Sequence, residues 1–299
     1  MQILVTGATG FVGRALVPAL LDAGYEVRAL SRDRSKGEEI LDSRVEVVEG
    51  DVLDPESLDG VFDGVDLAYY LVHSLGAGGE YEERDRRAAD TFADAASEAG
   101  VDRVIYLGGL GETGDDLSAH LASRREVEAH LAEGEYELTT FRAAIIVGAG
   151  SESFEMVRQM VSRLPVMITP KWVRTPSQPI AVRDVIEYLV KAVETPETAG
   201  KTLEIGGPEV LSYEDMMRRT AAAMGRRLYI LPVPVLTPKL SVYWIDLVTN
   251  TPPSISHPLI EGLKNPVVVT DDTAQELLDV DRTPFDEAVS RALADVRDE

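Results

Sequence analysis

Short apolar runs alternate with segments of helical periodicity through the first half of the chain. The apolar runs predict strands at residues 3–6, 27–31, 45–48, 67–72, 103–107 and 138–147. Between them, apolar residues at helical spacing predict helices at residues 11–23, 53–62, 81–99 and 122–131. Alternation of this kind is typical of an α/β fold with a doubly wound parallel sheet and helices on both faces.

The pattern becomes less regular after residue 150. It predicts helices at 183–193 and 213–224, a strand at 202–205 and a closing amphipathic helix near 284–296. Ser212 is placed to cap the helix at 213–224, and Asp215 completes a capping box. We therefore predict a larger domain at 1–150, to which 177–205 return, and a smaller substrate-binding lobe made of 151–176 and 206–299.

The turn after the first predicted strand is rich in glycine. Gly7 allows a tight turn, Gly10 lets the backbone approach a pyrophosphate, and Gly13 lets the next helix pack close to the sheet. Phosphates are then bound at the amino end of that helix, where free N–H groups favour negative charge. Glycines needed only for packing are the alternative, but the strand before and the helix after indicate a dinucleotide-binding site.

The charge of the chain argues against one class of partner. The chain carries 52 acidic and 29 basic residues, a net charge of −23, and the acids are spread along its length. Such a surface repels nucleic acid, so we expect no nucleic-acid partner. Arginine greatly outnumbers lysine, and with the diffuse acidity this resembles proteins of salt-loving archaea, in which high salt screens the repulsion. An ordinary acidic surface is the alternative.

Residues that bind metals are few. The chain has no cysteine, so disulfides, thiolate metal sites and cysteine nucleophiles are excluded. Its four histidines (His73, His120, His130 and His257) lack metal-site spacing, and we predict no metal. No apolar stretch approaches the roughly 20 residues of a membrane span, and the predicted fold begins at residue 1 without space for a signal peptide. We therefore expect a cytoplasmic protein.

Further motifs extend the pattern beyond the glycine-rich turn. They are the segments 6–13, 50–52, 70–74, 142–148, 179–185 and 203–208. In this order they resemble the short-chain dehydrogenase/reductase superfamily in its extended or atypical branch. Within it the likeness is to NmrA-type proteins and to the nucleotide-binding accessory subunit of respiratory complex I. The resemblance implies a Rossmann sheet that binds NAD(P) through the domain at 1–150.

The resemblance also implies which residues contact the cofactor. They are Thr6, Gly7, Thr9, Gly10, Phe11, Val12, Gly13, Ser31, Arg32, Asp51, Val52, Leu71, Val72, His73, Gly108 and Gly109. Among them, the Asp51 carboxylate would accept a hydrogen bond from the exocyclic amine of adenine.

The end of the second predicted strand favours NADP over NAD. A site for NAD normally places Asp or Glu here to hold the ribose 2′-hydroxyl. This chain instead has Ser31 and Arg32, and an arginine can form a charge-assisted fork with a 2′-phosphate. Arg34 and Lys36 add positive charge. The alternative is that these are solvated loop charges, partly offset by Asp33.

The catalytic residues of the superfamily are missing. The usual chemistry uses Tyr with Lys four residues later, and Ser or Thr at the end of the fifth strand. Gly108 and Gly109 stand at that strand end, and His120 and Arg124 have the Tyr–Lys spacing on the next helix. Either His120 exchanges the proton while Arg124 holds the nicotinamide ribose, or the helix has kept its packing and lost catalysis.

Two other segments are candidates for contact with substrate. His73 and Ser74 follow the fourth predicted strand and either face the nicotinamide or form a turn and cap. The apolar stretch at 228–248 forms either core or a pocket for an isoprenoid or quinone-like substrate, with Tyr243 and Trp244 lining it. Its 231–248 part is alternatively a contact for a membrane surface or a protein.

These features predict an oxidoreductase that binds NADP(H) and acts on a small apolar carbonyl or alkene-containing molecule. A catalytically silent cofactor-binding protein with a structural or redox-sensing role is the first alternative. A nucleotide-sugar epimerase is the second, and the missing Tyr–Lys pair argues against it.

Overall fold

A central parallel sheet organises the protein. The computed structural model describes residues 1–73, 81–111, 119–169, 171–232, 252 and 265–298. The sheet strands are β1 (Gln2–Thr6), β2 (Glu26–Ser31), β3 (Glu46–Glu49), β4 (Leu67–Tyr70), β5 (Arg103–Gly109), β6 (Glu137–Ala143) and β11 (Thr202–Ile205). Their order across the sheet is β11-β6-β5-β4-β1-β2-β3, and all pairs are parallel. The predicted doubly wound α/β fold is confirmed.

Helices cover this sheet and build a second group of elements beside it. They are α1 (Phe11–Asp22), α2 (Arg34–Ile40), α3 (Tyr81–Glu98), α4 (Ala119–Leu131), α5 (Glu152–Arg163), α6 (Val182–Val193), α7 (Tyr213–Ala223), α8 (Thr273–Leu278) and α9 (Phe285–Asp298). Short strand pairs complete the fold: β7 (Ile146–Val147) with β10 (Ile180–Ala181), β8 (Val166–Thr169) with β13 (Tyr229–Pro232), and β9 (Pro176–Ser177) with β12 (Leu211–Ser212).

The helix predicted at 53–62 is wrong. The chain there forms a 3-10 turn, Pro55–Leu58, followed by irregular turns. Gly60 and Gly64 have φ angles of 72° and 69°, a left-handed conformation that a continuing α-helix does not contain. The strand predicted at 138–147 is also divided, because β6 ends at Ala143 and β7 pairs with β10 outside the main sheet.

Three apolar clusters form the core. One lies between the sheet and α3 and α4, where Tyr70 and Phe62 contact Phe92 edge-on at centroid distances of 5.0 and 5.2 Å. A second packs α1 and α6 on the sheet and includes Ala274 and Leu278 of α8. The third joins α5, α7, α9, β8 and β13. No helix in the described part of the chain is long and apolar enough to cross a membrane.

The predicted capping box on α7 is confirmed. The Ser212 hydroxyl accepts from the Asp215 backbone N–H at 3.1 Å, and the Asp215 carboxylate accepts from the Ser212 N–H at 3.1 Å. The two bonds satisfy backbone donors that have no partner within the helix, which fixes where α7 begins.

Candidate functional site

A cleft of about 830 Å³ opens at the carboxyl ends of β1, β2, β3 and β4. This is the point where the strand order reverses between β1 and β4, and open α/β sheets bind ligands there. Its lining includes many of the residues predicted to contact a cofactor: Thr6, Gly7, Thr9, Gly10, Ser31, Arg32, Asp51, Val52, Leu71, Val72 and His73. The other predicted contacts are absent from this lining: Phe11, Val12, Gly13, Gly108 and Gly109.

The glycine-rich turn leaves no space for side chains at its critical positions. Gly7 has a φ of 73°, and a Cβ on it would lie 2.8 Å from the Leu71 carbonyl oxygen. A Cβ on Gly13 would lie 2.3 Å from the Gly7 oxygen. Helix α1 then begins at Phe11, and its N-cap residue, Gly10, has no side chain that could accept hydrogen bonds from the first N–H groups of the helix. These N–H groups are therefore left for a ligand. This backbone fits a bound pyrophosphate.

The β2 end of the cleft carries positive charge. The Arg32 side chain is exposed, lines the cleft, and has no hydrogen bond or ion pair among the residues that the structure describes. Lys36 also lines the cleft, 3.7 Å from the Asp33 carboxylate. Arg34 differs, because its Nε binds Glu38 at 2.8 Å and it does not line the cleft.

The acid beside Arg32 is committed to local structure. The Asp33 carboxylate accepts from the Lys36 backbone N–H at 3.1 Å and so caps α2. The Ser31 hydroxyl donates to the Asp33 carbonyl at 2.8 Å and therefore stabilises the same turn. The negative charge of Asp33 is thus held at the start of α2, and it forms no ion pair with the guanidinium of Arg32.

The loop after β3 positions Asp51. Its carboxylate accepts from the Leu53 N–H at 3.0 Å, and its backbone N–H donates to the Ser57 hydroxyl at 2.9 Å. The Ser57 hydroxyl donates in turn to the Asp54 carbonyl at 2.7 Å. These bonds hold the Asp51 carboxylate at the cleft wall, in a position suited to a hydrogen bond with a base.

The cleft contains one further cation that was not predicted from the sequence. Arg84 of α3 lines it, and its buried Nε has no hydrogen-bond partner in the described part of the chain. A buried donor without a partner is costly, so a site that leaves one unsatisfied is suited to an anionic ligand. The signal in the sequence was weak, because Arg84 lies among the charged residues that begin α3.

Arg124 is buried against an acid from the neighbouring helix. Its Nη2 forms an ion pair with Oδ2 of Asp85 in α3, and the two side chains are 8% and 2% exposed. The Ser123 hydroxyl also donates to that carboxylate at 3.4 Å. The ion pair holds α4 against α3, so Arg124 has a structural role in addition to its predicted contact with the nicotinamide ribose. That contact stays a prediction.

No tyrosine of β5 replaces the missing catalytic one. The Tyr106 hydroxyl donates to the Arg124 carbonyl at 3.2 Å, and burial raises the pKa of Tyr106 to about 12. A Cβ on Gly109 would lie 3.1 Å from the Leu121 side chain, so this glycine lets α4 pack against the strand end. His120 lies in the first turn of α4, but its side chain falls outside the described residues, so its role remains a prediction.

His73 lies at the cleft, on the chain leaving β4. The residue as a whole is exposed, but desolvation by the protein around it and, to a smaller extent, the Arg124 cation lower the pKa of His73 below its usual range. A neutral imidazole is therefore expected near pH 7. Ser74, Tyr243 and Trp244 lie outside the described residues. Within those residues, no group of three His, Asp or Glu side chains could hold a metal ion.

The sequence is similar to those of known reductases over most of its length. A ceramide reductase of Caulobacter vibrioides is 30% identical over 287 residues, 94% of this chain and 86% of that protein. A (4-alkanoyl-5-oxo-2,5-dihydrofuran-3-yl)methyl phosphate reductase of Streptomyces griseus is 29% identical over 76% of this chain and 75% of that protein.

Solved structures share the fold. The triphenylmethane reductase of Citrobacter sp. in complex with NADP(H) superposes with a TM-score of 0.78, covering 97% of this chain and 99% of that one. At 20% identity this likeness shows the fold alone.

The sequence model of the NmrA-like family matches residues 1–264. The chain belongs to the NmrA-like family, whose members are atypical short-chain dehydrogenases/reductases with a Rossmann-like NAD(P)-binding fold.

Proposed function

We propose that the protein is an NADP(H)-dependent reductase of an apolar carbonyl compound. The observation that carries the choice of cofactor is Arg32, a cation at the end of β2 with no partner among the residues that the structure describes, where a site for NAD has an acid. Arg32 and Lys36 would hold the 2′-phosphate, the glycine-rich turn and the amino end of α1 the pyrophosphate, and Asp51 the adenine.

The relatives support reduction as the reaction. Two of them are named as reductases, and the names of both indicate alkyl-chain or lipid compounds. We infer a lipid substrate with a long apolar chain and a ketone group that accepts the hydride. NADPH would supply a hydride to the carbonyl carbon, and the carbonyl oxygen must then gain a proton. His120 is our candidate donor of that proton, because an imidazole titrates near neutral pH.

The direct test follows NADPH oxidation by its absorbance. Purified protein is mixed with long-chain keto lipids and, as the matched comparison, with short-chain ketones that carry the same functional group. We expect oxidation with the long-chain compounds and little with the short ones. If NADPH binds but no carbonyl compound in the panel causes its oxidation, the catalytically silent cofactor-binding protein is the better account.

Arg84 gives a separate prediction about the cofactor. Replacing Arg84 by Gln should weaken NADPH and NADH alike by about tenfold or more, because we assign this cleft arginine to the pyrophosphate, which both cofactors carry, and a hydrogen bond to a charged group contributes roughly 1.5–3 kcal/mol. Titration calorimetry measures both affinities. Arg87→Gln, an exposed arginine on the same helix that does not line the cleft, is the control. Unchanged affinities in Arg84→Gln would remove Arg84 from the cofactor site.

A further inference from the structure

An exposed apolar face lies on the second group of elements, far along the chain from the cleft residues. In the pair formed by β8 and β13, Val166 lies opposite Tyr229 and Ile168 opposite Leu231. These four side chains are 47%, 58%, 54% and 56% exposed, respectively. We call them the β8–β13 face. They are neighbours in two rows, so they form one continuous apolar surface and not scattered exposed residues.

The opposite side of the same strands explains this orientation. Met167 and Ile230 point the other way and are 1% and 6% exposed in the core that joins α5 and α7. Because strand side chains alternate between the two sides, burying this pair presents the four others outward. An outward row of large apolar residues costs solubility, so its presence on a strongly acidic protein points to a partner surface.

The two chain segments that contain the strands of this face carry basic residues and no acidic ones. About one residue in six of the chain is acidic, yet residues 156–183 and 216–245 contain no aspartate or glutamate. Each of these segments contains one strand of the face. Arg163 precedes β8, and Arg226 and Arg227 precede β13; all three are exposed. Arg226 is held to the end of α5 by a hydrogen bond to the Ser162 carbonyl.

We propose that the β8–β13 face docks on an anionic lipid bilayer. Its four apolar side chains would enter the boundary between headgroups and acyl chains, and the arginines at the strand ends would attract acidic headgroups. The rest of the protein carries the negative charge and would be repelled from the same surface, which orients the molecule with this face toward the membrane. Docking of this face on a membrane would not require the proposed reaction.

The experiment is flotation of the full-length protein with two kinds of vesicle. One is phosphatidylcholine alone, and the other is phosphatidylcholine mixed with phosphatidylglycerol. We expect the wild type to float with the anionic vesicles and much less with the neutral ones, and the bound fraction to fall as salt is added. The double variant Ile168→Asp, Leu231→Asp should reduce the bound fraction by about tenfold or more.

Two controls show whether a loss of vesicle binding is specific to the β8–β13 face. Val210→Asp changes another exposed apolar residue, 53% exposed, by the same chemistry and should bind vesicles like the wild type. Melting temperatures equal to that of the wild type show that the variants are folded. Absence of wild-type binding to anionic vesicles, or equal binding by the double variant, overturns the proposal. If the double variant instead loses a dimer in size-exclusion chromatography without any lipid binding, the face belongs to a second copy of the chain.

Discussion

Replacing Asp85 by Ala is expected to lower the free energy of unfolding by about 3–5 kcal/mol, because it leaves the buried guanidinium of Arg124 without its counter-charge. The Arg124 Nε already lacks a hydrogen-bond partner among the described residues, so the loss of Asp85 would leave a second guanidinium nitrogen unsatisfied. Urea denaturation measures the change.

The matched control is the exposed pair on the same helix. Glu83→Ala removes one of the two carboxylates that pair with Arg86, whose side chain is 36% exposed and keeps Glu126 at 3.1 Å, and it should cost about 1 kcal/mol or less. If Asp85→Ala is no more destabilising than Glu83→Ala, the ion pair does not hold α3 and α4 together. Arg124 would then be free for the ribose contact that its spacing from His120 predicts.

Replacing His120 by Ala is expected to lower turnover by about 10²–10⁴-fold while leaving the affinity for NADPH nearly unchanged, as for a positioned general acid. Steady-state rates of NADPH oxidation and calorimetry measure the two quantities separately. His130→Ala is the control on the same helix, because the His130 imidazole is bound to the Asp90 carboxylate at 2.6 Å and does not line the cleft. Full turnover in His120→Ala would exclude His120 as the proton donor.

The sheet and the position of the cleft could be predicted from the sequence because both depend on local patterns. The alternation of apolar runs with helical periodicity identifies each sheet strand, and Gly7 and Gly13 mark where a backbone must approach closely. Helix α2 was not predicted from the sequence, and the reason also lies in its own residues. Its residues are mostly polar, so it shows no apolar stripe, and its start depends on the cap made by Asp33.

Other features depend on contacts that no local pattern shows. Asp85 and Arg124 belong to different helices, and their pairing follows from how α3 and α4 pack on the sheet. The β8–β13 face joins strands separated by α6, β11 and α7 in the chain, so neither strand alone indicates a continuous apolar surface. Arg84 is one of several charged residues in its helix, and only the cleft distinguishes it.

Titration calorimetry with NADPH and NADH shows whether the cleft binds NADP(H) through Arg32. Wild-type protein should prefer NADPH by about ten- to hundredfold, since a hydrogen bond to a charged group contributes roughly 1.5–3 kcal/mol. Arg32→Ala should remove most of that preference, and Arg34→Ala should keep it, because Arg34 binds Glu38 and does not line the cleft. Equal affinity of the wild-type protein for the two cofactors would show that Arg32 does not select NADP(H), and binding of neither would show that the cleft is not a dinucleotide site.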